Sequence, residues 1–314
     1  MKLKHIISAR QFDKKSLQSI FTIANKIKVG QYEKNALSGK ILASLFYEPS
    51  TRTRLSFESA MLRLGGKIIS TENARQFSSV AKGETLEDTI RIISFFSDVI
   101  VLRHPEKGAS ELAAKFASVP VINGGDGNGE HPTQALYDLY TIFSKFPPKA
   151  KLANGGKNQN FTVTMMGDLK NGRTIHSLSR LLALYPKVKQ IFVSPKPLAV
   201  PDDLKEELKV KKIDYSEVED FEKGVSQADV VYQTRIQKER FKNEKEYKKY
   251  FGKYIIDKDS LKYLKKKAVI MHPLPRINEI SKEVDSDPRA AYFEEAQNGL
   301  YTRMALLLSV FDKS

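Results

Sequence analysis

Short apolar runs alternate along this chain with stretches in which apolar residues recur every three or four positions. The runs at 41–47, 99–102, 119–122, 161–166, 229–232 and 268–271 have the length of buried strands, and 67–70, 191–193 and 213–215 add shorter ones. Between them, helical spacing appears at Leu17, Ile20, Phe21, Ala24 and Ile27, with Asp13 or Ser16 available as the cap. It appears again at Phe57, Ala60, Met61 and Leu64, where Gly65 and Gly66 stop the helix. Thr85 heads a helix with Leu86, Ile90, Ile93 and Phe96 on its apolar face, and 111–117 reads as another. Further helices carry Leu136, Leu139, Ile142 and Phe143; Ile175, Leu178, Leu181 and Leu182; residues 201–208; and the region of Phe221. Residues 241–251 are charge-rich and read as a loop or a solvated helix, and a long C-terminal helix runs from Asp287 on. Strands that alternate with helices predict parallel sheets.

At 314 residues the chain is too long for one ordinary core. The expected class is therefore α/β, with two domains, each a parallel sheet flanked by helices, and an active site in the cleft between them. Pro147 and Pro148 end one helix, and the Asn/Gly-rich run 154–160 reads as a linker. The expected domains are residues 1–149 plus 288–314, and residues 150–287. The absence of cysteine rules out disulfides, thiolate chemistry and a zinc–thiolate site in this chain, and fits a cytoplasmic setting. Its first residues lack the apolar stretch of a signal peptide, and no run is long enough for a membrane span. The net charge of +15 favours acidic partners. Much of the excess sits in lysine clusters such as 265–267 that read as solvated faces, and no nucleic-acid motif accompanies them.

The polar clusters change the picture. Ser50-Thr51-Arg52-Thr53-Arg54 lies where a strand gives way to a helix. Unpaired N–H groups, the positive end of the helix dipole, hydroxyls and guanidiniums suit a phosphate there. Taken alone, the same residues also describe an ordinary serine cap with surface arginines. Arg103, His131, Arg173, Arg235 and Arg276 likewise follow apolar runs. Any one of these would be unremarkable, but ligands of parallel sheets bind beyond the carboxyl ends of the strands. Their joint placement predicts an anion-binding cleft.

Further segments give the set a family likeness: Lys82-Gly83-Glu84-Thr85, Arg103-His104-Pro105, His131-Pro132-Thr133-Gln134, Gly167-Asp168-Leu169 with Gly172-Arg173-Thr174, the run 234–240, and His272-Pro273-Leu274-Pro275-Arg276. With Ser50–Arg54, and in this order, they resemble the aspartate/ornithine carbamoyltransferase family over nearly the whole chain. Arg235 with Gln237 and the His-Pro-Leu-Pro-Arg form resemble its aspartate branch; the ornithine branch carries a cysteine in that last segment, and this chain has none.

The resemblance implies transfer of a carbamoyl group from carbamoyl phosphate to L-aspartate, early in pyrimidine synthesis, with no metal or organic cofactor. It implies that Ser50, Thr51, Arg52, Thr53, Ser78, Lys82, Arg103, His131, Gln134, Leu274 and Pro275 meet carbamoyl phosphate. Lys82, Arg173, Arg235, Gln237 and Leu274 would meet aspartate, and Arg52, Thr53, Arg103 and His131 would carry the chemistry. Glu48 would pair with Arg173 or Arg240. Ser78 and Lys82 would come from a neighbouring subunit, which implies a catalytic homotrimer, with separate regulatory chains possible and neither nucleic acid nor membrane as a partner. A carbamoyltransferase for ornithine and a catalytically silent relative remain the alternatives.

Overall fold

The computed structural model describes residues 3–73, 83–147 and 160–312, apart from the side chain of Glu239. It divides into two compact units, Met1–Tyr137 with Gln297–Ser314, and Asp138–Ala296.

The first unit is built on a four-stranded, wholly parallel sheet in the order β2-β1-β3-β4, from β1 (Ile41–Phe46), β2 (Lys67–Glu72), β3 (Val99–His104) and β4 (Val121–Asp126). Helix α1 (Lys14–Lys28) buries Leu17, Ile20, Phe21, Ala24 and Ile27. Both cap candidates serve it: the Asp13 carboxylate accepts the Ser16 N–H at 2.7 Å while the Ser16 hydroxyl accepts the Asp13 N–H at 2.9 Å. Helices α2 (Thr51–Arg63), α3 (Leu86–Phe96) and α4 (Ala109–Phe116) follow, with Thr85 capping α3. Ala43, Leu45, Ile90, Ile100, Leu102 and Val121 form one continuous apolar cluster between sheet and helices.

Strand β4 extends four residues past the apolar run that predicts it, through Asn123-Gly124-Gly125-Asp126. The extension pairs with β3, Asn123 opposite Leu102 and Asp126 opposite His104, and the N-terminal segment pairs at its start, where Ile6 donates to the Val121 carbonyl at 2.8 Å and Asn123 donates to the Ile6 carbonyl at 2.8 Å. Gly124 also permits a close approach, because a Cβ there would sit 3.3 Å from the Leu102 carbonyl oxygen and 3.6 Å from a Thr53 methyl.

The second unit has a five-stranded parallel sheet in the order β7-β6-β5-β8-β9, from β5 (Phe161–Met166), β6 (Val188–Val193), β7 (Tyr215–Val218), β8 (Val230–Gln233) and β9 (Val269–Met271). Helix α5 (Pro132–Lys145) carries the chain out of the first unit, and α6 (Arg173–Leu182), α7 (Asp202–Val210), α8 (Phe221–Val225) and α9 (Glu244–Lys248) lie within the second. Helix α10 (Tyr292–Val310) carries the chain back. It begins five residues after the predicted start at Asp287, because 289–291 runs alongside β9 instead. Ile270 donates to the Arg289 carbonyl at 2.7 Å and Ala291 donates to the Ile270 carbonyl at 2.8 Å. Asp287 holds Arg289 through its N–H and its guanidinium, an arrangement that keeps the Asp287 carboxyl below its ordinary range. The changeover between units thus falls inside two helices, while most of the expected linker at 154–160 lies outside the described residues.

Both crossing helices contribute a buried acid to the second unit. Asp138 of α5 and Glu295 of α10 are almost wholly buried and bond to each other. Tyr232 of β8 donates to Asp138 Oδ2 at 2.8 Å, and the His272 N–H donates to Glu295 Oε2 at 2.9 Å. Two carboxyls in dry contact share one proton. Burial, and then the charge and hydrogen bond of Asp138, raise Glu295 well above its ordinary value of 4.5. The folded protein therefore binds a proton that the unfolded chain has released above about pH 4.5, so this pair costs stability as pH rises from there toward the folded-state value. Glu295→Gln supplies a permanent donor in the same shape. In calorimetry it should melt above the parent at pH 8 and together with it at pH 4.5; equal melting at both would contradict the shared proton.

Candidate active site

In the first unit the expected residues gather beyond the carboxyl ends of β1, β3 and β4. Parallel pairing brings those ends to one edge. After β1 the chain turns through Glu48 and Pro49 into α2, with Ser50 at the cap position. The Ser50 side chain makes no cap hydrogen bond. The first N–H groups of α2 are thus not consumed by the serine, as the ordinary-cap reading requires. Thr51 and Arg52 are exposed while Thr53 is buried. Partial desolvation lowers the Arg52 guanidinium, against the opposing influence of Tyr137.

Arg103 stands beside this turn. It donates to the Gly124 carbonyl at 3.2 Å and forms an ion pair with Glu48 at 2.7 Å. Since Gly124 also lies against Thr53, the structure brings Thr53 and Arg103 together. Glu48 thus has one partner within its own unit, in Arg103.

His131 and Gln134 stand at the start of α5, which opens on Pro132, a residue suited to a first turn that needs no N–H. Both side chains are buried. The Thr133 hydroxyl lies 3.5 Å from His131 Nδ1, and Tyr137 donates to Gln134 Oε1. The loop that delivers His131 is fixed from below. Asp126 accepts N–H groups from Glu130 at 2.8 Å and Gly108 at 2.9 Å. Glu130 in turn accepts from Ser8, from the Ala9 N–H and from Arg10. The acids of this loop do the holding, and one acid inside a glycine run with another at its end was the available signal.

The arginines near this edge do not all serve it. Arg54 donates to Ser70 at 3.3 Å and pairs with Glu72 at 3.1 Å and Glu58 at 3.7 Å, tying α2 to β2. In the second unit Arg276 pairs with Asp285 and donates to Tyr292 at 3.0 Å. Both are structural contacts.

The second unit gathers Arg173, Arg235, Gln237, Leu274 and Pro275 beyond β5, β8 and β9. Gly167 ends β5 at φ 120°, where a Cβ would lie only 2.2 Å from the Thr234 carbonyl oxygen. That contact seats the Arg235 segment directly against the turn that leads to Arg173. Asp168 binds the same turn, accepting from the Asn171 N–H at 3.1 Å and its amide at 3.0 Å. Burial raises the Asp168 carboxyl, and bonds from Asn171 and the Gln237 N–H, with the charge of Arg240, oppose the rise. Asp168 therefore links the Arg173 turn to the Gln237 segment. Arg173 is the first residue of α6, and Arg235 and Gln237 follow β8, each half-buried. Leu274 lies beyond β9 at φ 51°, and its peptide bond to Pro275 is cis. Ser78 and Lys82 lie outside the described residues.

One unit therefore assembles hydroxyls, backbone N–H groups and guanidiniums suited to a phosphorylated anion. The other assembles two arginines suited to carboxylates. The comparisons with known proteins agree with this division. The carbamoyl-phosphate-binding domain model of the aspartate/ornithine carbamoyltransferases matches residues 4–144, and their aspartate/ornithine-binding domain model matches residues 159–310. The chain belongs to this family of carbamoyltransferases. It is 53% identical over 309 residues to the chloroplastic aspartate carbamoyltransferase of Arabidopsis thaliana, covering 97% of this chain and 77% of the relative. The solved catalytic subunit of M. jannaschii aspartate transcarbamoylase is 46% identical with a TM-score of 0.88, covering 99% of both chains. The Trypanosoma cruzi aspartate transcarbamoylase, solved with carbamoyl phosphate and aspartate, is 40% identical with a TM-score of 0.88, covering 98% of this chain and 97% of that one.

The sorting of Arg52 from Arg54 is open to measurement. Arg52→Ala should weaken binding of inorganic phosphate at least tenfold in calorimetric titration while melting near the parent temperature. Arg54→Ala should do the reverse, melting lower and binding phosphate within about twofold, because its partners are Ser70, Glu58 and Glu72.

Proposed function

We propose that the protein is an aspartate carbamoyltransferase, which converts carbamoyl phosphate and L-aspartate into N-carbamoyl-L-aspartate and phosphate in pyrimidine synthesis. The observation that carries this reading is the full-length match to the Trypanosoma cruzi enzyme solved with both substrates.

In this reading the phosphate of the donor rests on Ser50, Thr51, Arg52, Thr53 and the first N–H groups of α2, with Arg103 beside it. The aspartate amine attacks the carbamoyl carbon and a C–N bond forms. Charge grows on the carbonyl oxygen, where Thr53, Arg103 and His131 donate. Preorganised donors of this kind contribute roughly 3–4 kcal/mol each in comparable acyl-transfer sites. The bond to the phosphate oxygen then breaks, the electron pair leaves with phosphate, and the departing phosphate takes the amine proton to become the free dianion. His131 need not act as a base. Gln134 and the Pro132 carbonyl orient the carbamoyl amide.

Arg173 takes the α-carboxylate of aspartate and Arg235 the β-carboxylate, with Gln237 in support. The carbonyls of Leu274 and Pro275 receive N–H groups of amine and carbamoyl. Ser78 and Lys82 come from a neighbouring subunit, and the working assembly is a homotrimer with shared sites, to which regulatory chains can attach. Substrate charges held on both domains, 1–149 with 288–314 and 150–287, draw them together over the reactants. The cytoplasm is the expected compartment; among the described residues no helix is long and apolar enough to cross a membrane.

An assay with carbamoyl phosphate should yield carbamoyl aspartate from aspartate and no citrulline from ornithine; the opposite result would assign the other branch. Arg52→Ala should lose at least a hundredfold in turnover, as removal of a transition-state donor does. Lys82→Ala mixed with Arg52→Ala should regain part of the activity. Absence of any regain, with mixed assemblies verified by native mass measurement, would mean that each chain holds a complete site.

A further inference from the structure

The motif after β9 holds a hydrogen-bond relay that the proposed reaction does not yet use. Leu274 occupies the left-handed region at φ 51°, a conformation that a branched side chain disfavours and that neighbouring groups must hold. Its N–H donates to Nδ1 of His272 at 2.8 Å. Only a lone pair can receive that N–H, so Nδ1 carries no proton and the ring is neutral with its hydrogen on Nε2. Nε2 donates to Glu279 Oε1 at 2.8 Å. The second oxygen of Glu279 accepts the N–H groups of Ile277 at 3.2 Å and Asn278 at 3.1 Å. The far side of His272 is anchored too, through its own N–H to Glu295 Oε2 at 2.9 Å. His272 is 1% exposed and Glu279 5%, so water does not compete for these bonds. Burial pushes the Glu279 carboxyl up, and the bonds from His272 and Ile277 act against it.

We propose that His272 is a positioning residue for the amino-acid substrate: oriented by Glu279, its unprotonated Nδ1 holds Leu274 in the left-handed conformation and so fixes the direction of the Leu274 carbonyl. The inference rests on the reading above in that it takes this carbonyl as the acceptor of the aspartate amine. The relay works in only one tautomer. Glu279 selects it, because a carboxylate that already receives two backbone N–H groups can only accept from the ring. A glutamine at 279 cannot serve all three donors. If its amide nitrogen faces the ring, the hydrogen moves to Nδ1 and opposes the Leu274 N–H. If its oxygen faces the ring, its amide nitrogen opposes the N–H groups of Ile277 and Asn278.

The test has a spectroscopic and a kinetic arm. The chain holds five histidines, and in protein labelled with 15N-histidine the signal absent from His272→Asn belongs to His272. A long-range proton–nitrogen spectrum at pH 8 should show it as the Nε2–H tautomer, and as the Nδ1–H tautomer or a mixture in Glu279→Gln. A parent ring with its hydrogen on Nδ1, or one carrying both protons, overturns the proposal. In the kinetic arm, His272→Leu should raise KM for aspartate at least tenfold while KM for carbamoyl phosphate stays within about twofold. His272→Asn, whose side-chain oxygen can still receive the Leu274 N–H, should recover most of the loss. Equal defects in the two variants, or both KM values moving together, would sink the positioning role. Should His272→Leu fail to fold, Glu279→Gln carries the same KM comparison. A parent protein that makes no carbamoyl aspartate would overturn the reaction assignment, whereas the tautomer is decided by the spectrum regardless.

Discussion

Parallel strand pairing is the constraint on which the rest depends. In both sheets every neighbouring pair runs in the same direction. All carboxyl ends of a sheet therefore meet at one edge, and the segments leaving them are forced side by side. Residues as distant in sequence as Thr53, Arg103 and Gly124 become neighbours for that reason. A helix that starts at such an edge presents unpaired N–H groups to the same space, and Ser50 leaves them unoccupied. The chemistry follows from topology first and from particular side chains second.

What the edge supplies, buried acids hold in place. Asp126 ties the loop before His131, Asp168 ties the turn before Arg173 to the segment of Gln237, and Glu279 orients His272. Each spends both carboxylate oxygens or a pair of bonds on backbone N–H groups, which turns a flexible connection into a fixed one.

Much of this was legible in the sequence. The six longer apolar runs each hold a strand, because a buried parallel strand leaves an uninterrupted hydrophobic signature. The gathering of the described candidate residues at the carboxyl ends of strands was legible through their position after those runs. The failures have physical causes. The extension of β4 into Asn123–Asp126 rests on pairing with Leu102 and His104 of β3 and, at its start, with Ile6, more than a hundred residues away, and no local pattern records such partners. The late start of α10 has the same origin, since 289–291 is captured by Ile270. Arg54 and Arg276 looked equivalent to Arg52 by position, and only their carboxylate partners separate them.

The ion pair of Arg103 with Glu48 carries a further consequence. An anion that seeks this guanidinium does not enter an empty seat but displaces a carboxylate already held at 2.7 Å. Occupancy becomes an exchange, with a threshold set by the incumbent. A singly charged visitor such as chloride or acetate offers no more than Glu48 does, while a dianion spanning Arg103 and the start of α2 offers more than one attachment. An arriving anion is in this way weighed against a resident carboxylate, and one with several points of attachment is favoured over one with a single point.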